Sequence, residues 1–115
     1  MSASPQQIRE WIREADELLE KGDIVQTSEK YYKAVEEAIK SLSRRSNLSV
    51  LKRLRYGRWS SELLFDAVYE LGVNEIKEIW YIAWELHIDG FHEMKLTEER
   101  LRLVKDKIKK IIDYL

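Results

Sequence analysis

The sequence predicts an all-α fold: an antiparallel up-and-down bundle of four to five long helices with a short connector helix, in a single domain over residues 1–115. Three observations carry this expectation. Apolar residues return at three- and four-residue spacing in successive segments, the signature of one buried helical face. Most segments open on Ser, Asp, Asn or Thr, and several close on one of the four glycines, as helix caps require. No stretch of strand length alternates between apolar and polar residues.

The first helix starts at Ser4-Pro5-Gln6-Gln7, where serine caps, proline gives up an N–H that the first turn does not use, and Gln7 closes a capping box. Ile8, Trp11, Ile12, Ala15, Leu18 and Leu19 form its inner stripe, and Gly22 stands where a left-handed residue ends a helix. Asp23 caps the second helix, whose stripe runs through Ile24, Ser28, Tyr31, Val35, Ala38, Ile39 and Leu42 to about Ser46. The short link makes these two antiparallel neighbours. Tyr31 and Tyr32 point about 100° apart on a helix, so one of them is available for a subunit contact. From Asn47 to Ser60 the pattern weakens to a connector with a helical turn or two ending at Gly57. Ser60 caps a third helix that Gly72 stops. Asn74 opens a fourth, with Ile76, Ile79, Trp80, Ala83, Trp84 and His87 along one side and Gly90 at its end. Thr97 caps the last, faced by Leu101, Val104, Ile108, Ile111, Ile112 and Leu115.

Composition excludes several function classes. With no cysteine, disulfide frameworks, thiolate zinc sites and cysteine nucleophiles are ruled out. Twenty basic and 21 acidic residues nearly cancel, so any attraction to a charged partner is local. The start, Met1 to Pro5, lacks a basic flank and an apolar run, and no stretch approaches the ~18 apolar residues of a membrane span, so a cytoplasmic protein without membrane contact is expected. Abundant Lys, Arg and Glu with one proline is also a heat-adapted, thermophilic composition.

Chemistry concentrates in Trp80–Glu93, an aromatic-rich helix running into a glycine flanked by both histidines. His87 and His92 are five residues apart, about 140° on an α-helix, and do not share a face of one. A left-handed Gly90 would reverse the chain and gather His87, Asp89, His92 and Glu93, with His87 or His92 as candidate acid–base groups. Nitrogen and carboxylate ligands in that mixture suit zinc, nickel or iron. The spacing matches no metal signature, so no metal and no cofactor is assigned. The plainer reading has His87 ending the core stripe at the negative end of the helix dipole, with His92 bonded to a backbone carbonyl. A second concentration is basic. Between Arg44 and Ser61 there is no acidic residue, while Arg44, Arg45, Lys52, Arg53, Arg55 and Arg58 fall there with Tyr56 and Trp59. Guanidinium groups clamp phosphates and aromatic rings stack on bases, which suits RNA or a nucleotide. Arg58 and Trp59 join the histidine segment as candidate ligand-binding residues, and Arg44, Arg45, Lys52, Arg53 and Arg55 are candidate phosphate binders.

Ser28 to Lys40, Gly57-Arg58-Trp59, Trp80 with Ala83, and above all Leu86-His-Ile-Asp-Gly-Phe-His-Glu93 give the chain a resemblance to the archaeal PaREP family, which is similar in turn to the HEPN superfamily of helical bundles. The resemblance implies a compact bundle and a homodimer. Through the superfamily it implies either a ribonuclease or the partner of a nucleotidyltransferase in a toxin–antitoxin pair. HEPN ribonucleases carry an arginine separated by four to six intervening residues from the catalytic histidine that follows it. Trp80, Tyr81 and Ile82 stand at that offset before His87, and Glu85, Leu86 and His87 before His92. The expected function is therefore a binding module for nucleotide, RNA or a protein partner, with a metal-independent ribonuclease as the alternative.

Overall fold

The computed structural model describes residues 3–115; Met1 and Ser2, part of the chain start considered above, lie outside the described residues. Five α-helices account for most of the chain: α1 Pro5–Glu20, α2 Ile24–Arg45, α3 Ser61–Leu71, α4 Asn74–Glu85 and α5 Glu98–Lys109. A 3-10 turn, Ser49–Arg53, sits in the connector, a π-helical segment, Leu86–His92, extends α4, and a 3-10 turn, Lys110–Tyr114, follows α5. Among the described residues there is no β-strand, and no helix is long and apolar enough to cross a membrane.

Four of the expected caps are in place, while α4 begins at Asn74 itself, after Val73, with no side-chain cap bond. Side-chain oxygens of Ser4, Asp23, Ser60 and Thr97 accept the backbone N–H three residues on, at 3.0–3.2 Å. Gly22 and Gly72 take the left-handed conformation that ends α1 and α3. Pairs of contacting residues whose numbers rise on one helix as they fall on the other show the packing directions. Trp11–Lys33 and Asp16–Tyr31 set α1 against α2. Phe65–Trp84 and Tyr69–Tyr81 set α3 against α4, and Glu85–Arg100 and Glu78–Lys107 set α4 against α5. Each of these pairs is antiparallel. The longer connector carries the chain back along the bundle. Glu70, at the end of α3, reaches Ser49 just beyond the end of α2, so α3 runs in the direction of α2.

Helix α2 is the central element, in contact with all the others. This overturns the expectation for the tyrosine pair. Tyr31 and Tyr32 do point to different sides, but both sides are covered, and both rings are buried. Tyr31 donates its hydroxyl to Asp16 on α1, while Tyr32 packs on Trp80 and Trp84 of α4. Burial pushes the Tyr31 phenol up, and the Asp16 carboxylate it bonds pushes it further. Asp16 also accepts from Lys109 at 2.8 Å, joining α1, α2 and the end of α5. Ile8, Leu19, Ile39, Ile79, Trp80, Leu101, Ile108 and Ile111 fill the core, each with almost no exposure. A side chain of this size contributes roughly 1.5–3 kcal/mol when fully buried.

Gly90 departs from the expectation of a left-handed reversal. Its φ is not positive; Met94 carries the positive φ, 54°, four residues later. Gly90 lies inside the π-helical turn and is buried against Ser28 of α2. A Cβ there would stand 2.3 Å from Ser28 Oγ and 2.5 Å from Ser28 Cβ. The glycine is required for close approach of two helical backbones, and the chain stays helical because nothing at Gly90 asks it to turn.

Gly90→Ala should lower stability in urea unfolding by about 1–3 kcal/mol, the usual range for overpacking, and Ser28→Gly should recover part of that loss. Glu70 accepts from the Ser49 and Val50 amides, and these bonds hold its carboxyl below the usual carboxylate range. Its depressed value means that the stabilisation is present above the unfolded carboxylate pKa and fades as pH falls through the folded one. Protection of the Ser49 and Val50 amides, measured against their intrinsic exchange rates, should fall selectively on acidification, and in Glu70→Ala at neutral pH.

Candidate histidine pair and basic turn

In an α-helix, residues five apart diverge; in a π-helix, hydrogen bonds run from i to i+5, and such residues stack one turn above another. Glu93 N–H donates to Ile88 O, five residues back, at 2.8 Å. His87 and His92 therefore meet: their Nε2 atoms are 3.1 Å apart and their rings stand at 82°. His92 bonds His87 rather than a backbone carbonyl.

His87 is held on its other edge by a residue that sequence reasoning passes over. Its Nδ1 is 3.0 Å from Glu29 Oε2 on α2. Tyr32, one turn further along α2, stacks on the imidazole at 4.1 Å and 18°, and Trp84 packs on it at 5.4 Å. His87 is half-buried and His92 exposed. With Glu29 as a carboxylate, His87 donates Nδ1–H to it and keeps a lone pair on Nε2, which accepts Nε2–H from His92. The resulting hydrogen-bonded chain runs from His92 to His87 to Glu29.

The other members of the expected cluster do not join it. Asp89 accepts from the Lys95 backbone at 2.9 Å, and its side chain lies 3.9 Å from the Lys95 ammonium. Glu93 is exposed. Among the described residues no group of three or more His, Asp or Glu is arranged to hold a metal ion.

The basic connector has a different architecture. Its helical turn ends at Arg53, and Arg55–Arg58 then form a tight reversal closed by Arg58 N–H to Arg55 O at 3.0 Å. Tyr56 and Gly57 both take positive φ, 56° and 71°, as the two central residues of a I′ turn do. Tyr56 at the apex is 99% exposed. Arg53, Arg55, Arg58 and Trp59 line one concavity with Ser60 and Leu63. The Trp59 indole N–H is buried there without a partner. Arg53 pairs with Asp66 at 2.8 Å and Arg45 donates to Tyr114 O at 2.5 Å, so these two are partly engaged. Arg44, Lys52, Arg55 and Arg58 are exposed, and among the described residues no ion pair engages Lys52, Arg55 or Arg58. The concavity shares no residue with the set around the histidines, so Arg58 and Trp59 belong to one surface feature and His87, Asp89, His92 and Glu93 to another.

No curated protein matches the chain. Among solved structures it is similar to a crystal structure of a protein from Sulfolobus solfataricus, with 40% identity and a TM-score of 0.87 over 99% of this chain and 95% of that one. It is also similar to the solution structure of the Orf c02003 protein, from the same structural-genomics target, with 42% identity and a TM-score of 0.79 over 93% of this chain and 86% of that one. Residues 5–112 match the model of the archaeal PaREP1/PaREP8 family, and the chain belongs to that family.

Proposed function

We propose that this protein is a helical binding module that holds single-stranded RNA through the basic turn. One observation carries the reading: arginines at 53, 55 and 58 line a single concavity beside Trp59, under a tyrosine whose ring is almost wholly in solvent. The guanidinium groups suit phosphate oxygens, and Tyr56 offers a face on which a base stacks. Lys52, Arg44 and Arg45 extend the positive surface on the connector side. The absence of acidic residues from Arg44 to Ser61 keeps that surface basic even though Asp66 neutralises Arg53.

A second reading, a metal-independent ribonuclease of HEPN type, is favoured by the Glu29–His87–His92 chain, which presents an oriented imidazole to solvent. General acid–base work of this kind contributes about 10²–10⁴-fold in rate. The homodimer and the nucleotidyltransferase partner implied by the family resemblance belong to this proposal too. The exposed, hydroxyl-bonded pair Tyr69–Tyr81 on α3 and α4 is the face that suits a second copy.

Fluorescence anisotropy with a labelled RNA oligonucleotide tests the first reading. Binding should weaken as salt rises, and Arg55→Ala with Arg58→Ala should flatten the salt slope by about 0.7 for each phosphate that is no longer neutralised. Tyr56→Gly keeps a backbone that accepts positive φ and removes the ring, so the fold should persist while binding weakens by about 1–3 kcal/mol. Salt-independent binding, or none at low salt, rejects the proposal. For the second reading, RNA cleavage in the presence of a chelator should be lost in both His87→Ala and His92→Ala; a parent protein that does not cleave removes it. Light scattering that gives a monomer at micromolar concentration removes the dimer.

A further inference from the structure

The two facing imidazole nitrogens have a second chemical meaning. We propose that His87 and His92 form a transition-metal site for Cu²⁺, Ni²⁺ or Zn²⁺, with Glu29 as the outer carboxylate that fixes His87 for coordination. This goes beyond RNA binding and does not depend on the basic turn.

Two imidazole nitrogens bound to one ion at ~2.0–2.1 Å, with an angle between octahedral and tetrahedral, lie about 2.9–3.4 Å apart. The Nε2–Nε2 separation of 3.1 Å falls inside that window. A cation bound between the two nitrogens takes the place of the single proton that otherwise bridges them, which His92 releases on binding.

The surroundings prepare His87 for this role. Glu29 accepts from Nδ1, which fixes the ring orientation and leaves the Nε2 lone pair facing His92, the arrangement in which metal-bound histidines are commonly held. Tyr32 stacks on the ring and Trp84 packs beside it, so little side-chain freedom is lost on binding. His92 is exposed, which gives an ion a path in and leaves the remaining coordination positions to water. Since the described residues supply only two nitrogen ligands and no third carboxylate or imidazole, the ion is held openly and exchangeably. Neutral imidazole favours copper, nickel and zinc over magnesium or calcium.

This use excludes the acid–base one. Lone pairs bound to an ion do not carry protons, so an occupied site would silence a histidine-dependent nuclease.

The test is titration calorimetry on tag-free full-length protein with Cu²⁺, Ni²⁺, Zn²⁺ and Mg²⁺. We expect one site per chain, tightest for Cu²⁺ and absent for Mg²⁺. It should be weakened about tenfold or more in Glu29→Gln, the usual loss when an outer-shell partner is removed, and abolished in His87→Ala. His92→Ala is the decisive variant, because its exposed ring can be removed without disturbing the core. It should keep the parent's circular dichroism and metal-free melting temperature but bind no ion. Stoichiometric binding that survives in His92→Ala, or no saturable binding in the parent, overturns the proposal.

Discussion

The contact between Gly90 and Ser28 is the constraint on which the histidine surface depends. Because neither position has a bulky side chain between the helices, the extension of α4 lies directly on the middle of the bundle. Ser28 is fully buried, with its hydroxyl turned inward to the carbonyl of Ile24 at 2.8 Å, so it presents no unsatisfied group to the glycine. That closeness brings Glu29 and Tyr32, the next residues on the same side of α2, within reach of His87.

Helix α2 makes the arrangement rigid. It is the longest element at 22 residues, and it is covered by α1 on one side and by α4 with its π-helical extension on the other. A consecutive pair of tyrosines is the mark of a helix with two buried faces: Tyr31 serves the α1 side through Asp16, and Tyr32 serves the α4 side through the aromatic cluster. The same helix thus anchors the fold and supplies the acid and the stacking ring behind His87. The basic turn hangs from the opposite logic, a short surface reversal tied down at one end by Glu70 and by Asp66.

Much of this is legible in the sequence, for identifiable reasons. Helix starts are, because a hydroxyl or carboxylate cap acts within three residues, and Ser4, Asp23, Ser60 and Thr97 all cap as their positions predict. The glycine ends at 22 and 72 are as well, since a left-handed stop is also local. Gly90 misleads because glycine serves two purposes, left-handed turns and close packing, and only the position of Ser28, 62 residues away in the chain, separates them. The histidines stand out as a pair but fall on diverging faces, since an angle of 100° per residue presumes an α-helix. Glu29 escapes notice because it looks like any charged residue on a helix flank, and its role appears only once α4 lies across it. The basic stretch is legible as composition, while the reversal at Tyr56-Gly57 is not, because a tyrosine in left-handed conformation is not what its side chain prefers.

The π-helical segment also has a meaning for chain length. A turn of this kind holds one residue more than an α-helical turn closing the same gap, and it behaves as an insertion accommodated without breaking the helix. Removing a single residue between His87 and His92 would therefore be absorbed by a return to α-helical winding. His92 would then stand four residues after His87, one α-helical turn above it, so the two rings would remain neighbours on one face while the helix carrying them stayed intact. A relative shorter by one residue here would keep the bundle, both histidines and their juxtaposition, so the character to follow among related chains is the match of spacing to winding: five residues on a π-helical turn, or four on an α-helical one.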